Sequence, residues 1–293
     1  SERGAAVFAR TSAPGLAPKM PKLPLKATEK VDLAPQLFKL VEVAFSEQQA
    51  EEHRPAFADV AQLRESVRTQ IVAASPELDD KAAVEDIIKL LARYHRLVST
   101  LRLRFGDSSA DSDSSLAAFS WKDAFRPSDR AARTELGFES ACVLYNLAAV
   151  LSHSACHEDR TTPTGLRAAC QAFQRSAGAF DLLASESAAL SGGGRAEEGS
   201  GATSSSSASF TSSSSATTAD THPKAVHAWR HVMLAQAQQC FYEKAVSDAM
   251  KPQVVAKLAA QVAASLEAAM GELKHRDLKD KFGAWPTQLE AQK

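Results

Sequence analysis

The sequence carries no excess of charge of either sign. Lys and Arg total 34 against 35 for Asp and Glu over 293 residues. A global electrostatic pull toward nucleic acid or toward an acidic surface is therefore missing, although the total leaves room for a local basic face. Glycine is scarce outside one insert and alanine is abundant, a bias toward helix over sheet. The four cysteines, Cys142, Cys156, Cys170 and Cys240, contain no C-x-x-C pair. The chain is too large to need covalent staples, so they read as reduced, buried small hydrophobes of a cytosolic protein. No run approaches the ~18 apolar residues of a membrane span. No signal-peptide succession of charged, apolar and cleavage regions is present. No G-x-S-x-G elbow, P-loop or dinucleotide fingerprint occurs. Gly192-Gly193-Gly194 sits in a Ser-rich stretch and is not placed to cradle phosphate. These absences point away from an enzyme and from a bound cofactor.

What is present is a pattern of helices. Apolar residues make up 44%, enough for a sizeable core in one large domain or two small ones. Residues 1–20 are expected to be a disordered N-terminal extension, and residues 21–27 are extended in character. Asp32 precedes Leu33, Leu37, Leu40 and Val41, which predicts a helix with an Asp cap. Further helices are predicted over 54–72, 79–103, 133–158, 164–189, 222–249 and 251–273. Residues 106–115 read as a polar loop and 116–121 as a short strand that pairs with the extended N-terminal segment. Small side chains such as Ala168, Ala169, Ala172, Ala177, Gly178 and Ala179 let helix backbones approach closely. The predicted class is all-α, with antiparallel helical hairpins stacked in tetratricopeptide-like fashion and a small N-terminal β element. The tetratricopeptide consensus itself is missing, so the likeness is one of architecture. Residues 191–221 are low-complexity, and their Ser, Gly and Thr content predicts a flexible insert between a first part, 21–190, and a second part, 222–293.

Few residues suggest chemistry. His153 and His157, and again His227 and His231, stand four apart and so share a helix face. Neither pair follows H-E-x-x-H, and the ordinary reading is helix-end histidines and no metal site. The basic residues Lys81, Lys89, Arg93, Arg96, Arg102 and Arg104 form a stripe that suits acidic lipid headgroups, weakened by Glu85 and Asp86. The bland reading is a solvated face.

Four blocks together resemble the Bro-type domain of ALIX-like and fungal Rim-pathway proteins. They are Lys26-Ala-Thr-Glu-Lys-Val-Asp-Leu33, then Phe119-Ser-Trp-Lys-Asp-Ala-Phe125, then the run Gly137–Ala149 followed by Gly165-Leu and Ala177-Gly-Ala-Phe180. The last is Met233–Gln238 with Phe241, Lys244 and Ala245, then Met250-Lys251 and Val254–Val262. The resemblance departs from the family's pattern in its Ser-rich insert and in stopping at Lys293, before the long C-terminal helices. It implies a non-enzymatic scaffold of endosomal sorting, cytoplasmic and recruited to endosomes, that docks the C-terminal amphipathic helix of a Snf-type ESCRT-III subunit. A scaffold in pH-response signalling is the alternative, and an enzyme with an unrecognised site is a third reading. A peripheral contact with the acidic endosomal membrane belongs to the same expectation, and nucleic acid does not. The family's hydrophobic patch maps onto Phe241, Val254 and Leu258. Val254 and Leu258 share a helix face, and Phe241 lies about as far before the intervening turn as Leu258 lies after it. Lys244, one turn from Phe241, is placed to meet an acidic group of the partner.

Overall fold

The computed structural model describes residues 20–73, 78, 80–106, 118–191 and 217–293. The expected extension at 1–19, most of the loop at 106–115 and residues 192–216 of the insert lie outside the described residues. Four short-to-medium helices come first: α1 (Ala34–Ala44), α2 (Glu47–Glu52), α3 (Arg54–Ala73) and α4 (Lys81–Phe105). A hairpin of β1 (Phe119–Lys122) and β2 (Arg130–Arg133) follows. The remaining helices are α5 (Leu136–Cys156), α6 (Pro163–Ser191), α7 (Pro223–Ser247), α8 (Pro252–Leu273) and α9 (Trp285–Gln292). Two 3-10 turns, Ala219–Thr221 and Arg276–Leu278, precede α7 and follow α8.

Consecutive helices from α4 to α8 pack as neighbours, the stacked-hairpin arrangement that the small side chains predict. The apolar residues form two clusters that meet on α5. That helix buries residues on every side, including Cys142, Val143, Leu144, Tyr145 and Ala148, as a helix that is apolar all round must. Several of its buried polar side chains are paired, although the Tyr145 hydroxyl has no hydrogen-bond partner among the described residues. Asn146 accepts the Lys26 amide at 2.8 Å and donates to the Lys26 carbonyl at 2.9 Å, so a side chain pairs the extended N-terminal segment as a strand would.

Several boundaries differ from expectation for visible reasons. Leu33, not Asp32, caps α1, and no side chain bonds there; Pro35, with its preset φ, starts the helix instead. Asp80 caps α4 by accepting the Ala82 amide at 3.1 Å. Met20, counted with the extension, is buried in the core. The N-terminal segment does bridge Trp121 through Thr28, but β1 pairs chiefly with the unforeseen β2. The end of the insert is also not loose. Thr218, Asp220 and Thr221 are buried and form part of the core wall. Helix α8 is long and apolar enough, by length and composition, to cross a membrane, against the reading of the raw sequence. Half of its apolar residues are alanine, and it lies along α7 with Val262, Leu266, Ala269, Met270 and Leu273 buried.

The α7–α8 turn is a Schellman closure: the Met250 amide donates to the Ala245 carbonyl at 3.0 Å and the Ala249 amide to Val246 at 3.1 Å. Ala249 sits at φ 50°, a left-handed conformation that a Cβ disfavours. Ala249→Gly is therefore expected to raise stability by ~0.5–1 kcal/mol. Chemical denaturation measures it, and a loss of stability would show that Ala249 packs in a way its conformation does not reveal.

Candidate functional site

Phe241 and Lys244 lie on α7, and Val254 and Leu258 on α8. A Gln238–Gln261 side-chain hydrogen bond of 2.8 Å spans the two helices and sets their register. Three residues on along α7 is Phe241, and three residues back along α8 is Leu258, so the two stand about level. Phe241 is 47% exposed and Val254 38%, while Leu258 is half-buried. An aromatic ring and a valine held this open to solvent are not core glue. Lys244 is exposed and paired along its own helix with Asp248 at 2.7 Å.

Phe241 is the shared wall of two depressions. One, of about 330 Å³, lies toward α6 and is lined by Leu166, Arg167, Cys170, Gln174 and Lys244 among others. The second, of about 400 Å³, lies toward α8 and is lined by Leu234, Ala237, Gln238, Gln261 and Ala264 among others. Together they make a furrow across α6, α7 and α8 with apolar walls and amide or cationic rims. Sequence reasoning missed Leu234 and Gln238 here. The signal was available: they precede Phe241 by seven and three residues and so share its face.

The other candidates are occupied within the chain. His153 is half-buried, and its Nε2 meets the Leu23 carbonyl at 2.8 Å. Burial pushes its pKa down to about 4, so at neutral pH it is an uncharged tie to the N-terminal segment. His157 lies 3.5 Å from the Lys22 ammonium. Trp121 is fully buried, a pin between sheet and helices. Of the basic stripe, Lys81 pairs with Glu158, Lys89 with Asp86 and Arg102 with Glu186. Arg104 lies over the Phe45 ring. Arg93 and Arg96 are exposed beside a depression between α3 and α4. Burial pushes the Cys142 thiol well up and that of Cys240 up to about 12, the reverse of a nucleophile.

A family model described as the BRO1-like domain matches residues 20–291. The chain belongs to this family. It is 31% identical over 238 residues to the "ALG-2 interacting protein X" of Dictyostelium discoideum, covering 81% of this chain and 25% of that protein. It is 32% identical over 258 residues to the "Vacuolar-sorting protein BRO1" of Arabidopsis thaliana, covering 88% of this chain and 27% of that one. The BRO1-like chain thus spans about a quarter of the length of the curated relatives it matches. Among solved structures it resembles the "ALIX BRO1 CHMP4C complex" with a TM-score of 0.69 and 28% identity, covering 94% of this chain and 69% of that one. The mostly helical BRO1 fold with its small two-stranded sheet is shared.

Proposed function

We propose that this BRO1-like domain is a non-catalytic scaffold of endosomal sorting that docks the C-terminal amphipathic helix of a Snf-type ESCRT-III subunit. The observation that carries the reading is the open furrow around Phe241, whose α8 wall is Gln261, Ala264 and Ser265, with Val254 exposed and Leu258 half-buried nearer the turn on the same helix. An amphipathic helix lays its apolar face into such a groove. Arg167 on the rim favours a partner with acidic flanks, and Lys244 would have to exchange its Asp248 contact to join it. The similarity to a solved complex of an ALIX BRO1 domain with CHMP4C supports the same class of partner. The names of the relatives, vacuolar sorting among them, support recruitment to endosomes from the cytoplasm. In this reading a peripheral contact with acidic membrane falls to Arg93 and Arg96, since the rest of the stripe is engaged.

Phe241→Asp and Leu258→Asp are each expected to weaken binding of a synthetic CHMP4C C-terminal helix by ~2 kcal/mol or more, as the loss of a groove anchor does. Calorimetry reads the affinity, and the melting temperature is expected to move little. Unchanged affinity, or unfolding of both variants, would put the docking surface elsewhere.

A further inference from the structure

His222 meets His275 and Asp277, more than fifty residues further on, where the start of α7 lies beside the turn after α8. His222 caps α7, its Nδ1 accepting the Lys224 amide at 3.2 Å. His275 plays the same part for the 3-10 turn, its Nδ1 accepting the Asp277 amide at 3.5 Å. The two rings lie 5.8 Å apart at 32°. The Asp277 carboxylate approaches His275 Nδ1 to 3.7 Å. One donor atom from each of the three lies within 4.8 Å of the donors of the other two. His222 is half-buried and the other two are exposed, so solvent reaches the cluster.

We propose that His222, His275 and Asp277 form a divalent transition-metal site of the zinc class, with water completing the coordination. Two imidazole nitrogens and one carboxylate oxygen are a zinc donor set of the three-ligand kind. Imidazole excludes calcium and magnesium, which take oxygen, and only one of the three groups supplies it. Metal–ligand bonds of ~2.0–2.2 Å put tetrahedral donors about 3.4 Å apart. The present spacing, within 4.8 Å, needs a closure of at most about 1.4 Å, which torsions of two exposed side chains supply without moving the core. Lys224, two residues from His222, is neutralised by Glu272 at 2.9 Å, so its charge does not oppose a cation. The ion would clamp the α7–α8 hairpin at the end opposite the Ala249 turn. It competes with the amide N–H groups for the imidazole lone pairs, which makes this an exchangeable site rather than a permanent structural one. The local spacing of His275 and Asp277 does not announce it, because the third ligand, His222, lies more than fifty residues away.

The full chain, stripped with chelator and titrated with zinc chloride, is expected to bind one zinc ion by calorimetry and to melt at a higher temperature with zinc than without. The double variant His222→Asn with His275→Asn keeps a capping oxygen at both positions. It is expected to match the metal-free melting temperature and to lose zinc affinity roughly tenfold or more. Asp277→Asn, which leaves both capping imidazoles in place, is expected to weaken zinc on its own. His227→Ala with His231→Ala is expected to leave binding intact. Absence of stoichiometric zinc binding to the unaltered chain, or full affinity in the Asn double variant, would overturn the site.

Discussion

Asp220→Ala is expected to destabilise the fold by about 3–5 kcal/mol, the loss that follows when one member of a buried ion pair is removed. The Lys26 ammonium lies 2.6 Å from Asp220 Oδ2, and neither side chain reaches solvent. Around them almost every lone pair is used. The Thr218 hydroxyl accepts from Lys26 at 2.8 Å and lies 2.5 Å from Asp220 Oδ1. The Ala124 amide donates to Oδ2 at 2.7 Å, and the Asp220 amide donates to Asp123 at 3.1 Å. The Asp220 carbonyl accepts the Trp229 indole N–H at 3.3 Å. Burial, and then the Asp220 charge, raise the pKa of Asp123. Removing the Asp220 carboxylate strands an ammonium in a medium that cannot solvate it. Asp220→Asn keeps an acceptor for the Ala124 amide, and Lys26→Met removes the stranded charge. In a double-mutant cycle of these two, measured by urea denaturation, the coupling is expected at ~2–3 kcal/mol. A coupling near zero would mean that the ammonium finds water in the folded state. A deletion of the Ser-rich segment that runs on to Thr221 removes Asp220 and is expected to cost as much as the point change.

That bridge also shows what the sequence could and could not reveal. The Ser- and Thr-rich composition before His222 reads as a single loose insert, and composition gives no sign that its last residues turn back into the core. Asp220 finds its partner 194 positions away, a distance no local pattern spans. Long helices were legible because their apolar period is strong: Val84, Ile87, Ile88, Leu91 and Tyr94 are all buried on α4. The strand Arg130-Ala-Ala-Arg133 was not, since it has neither β-branched nor aromatic residues and owes its conformation to pairing with β1. The short α2 and the terminal α9 escaped for want of a full amphipathic period. The level placement of Phe241 and Leu258 was readable from hairpin symmetry alone, whereas the walls contributed by α6 needed the packed structure. Residues 1–19 and 192–216 lie outside the described residues, so the expectations about them stand as proposals.

Glu139→Gln is expected to cost about 3–5 kcal/mol, although it preserves volume and shape. Glu139 lies inside α5 with no exposed surface, and three donors from three other elements converge on it. The Arg64 guanidinium of α3 reaches Oε1 at 3.0 Å, the Tyr94 hydroxyl of α4 reaches the same oxygen at 2.9 Å, and the Trp121 indole N–H of β1 reaches Oε2 at 2.5 Å. Arg64 in turn donates to the Glu29 carbonyl and to the Thr28 hydroxyl, each at 3.0 Å. One carboxylate therefore joins two helices, the sheet and the N-terminal segment to the central helix. Burial, and then the Glu139 charge, drive the Tyr94 pKa well up, so the phenol stays a donor. A carboxamide has one acceptor oxygen where three donors need two. Its NH₂ group must point at Arg64 and Tyr94 or at Trp121, donor against donor, while Arg64 loses its counter-charge. The variant is expected to unfold at lower denaturant with an unchanged slope, because the native surface is the same and only its stability falls. Adding Arg64→Met removes the unpaired cation and is expected to restore part of the loss. If Glu139→Gln costs less than ~1 kcal/mol, water has entered the cluster and the four elements are held by apolar packing instead.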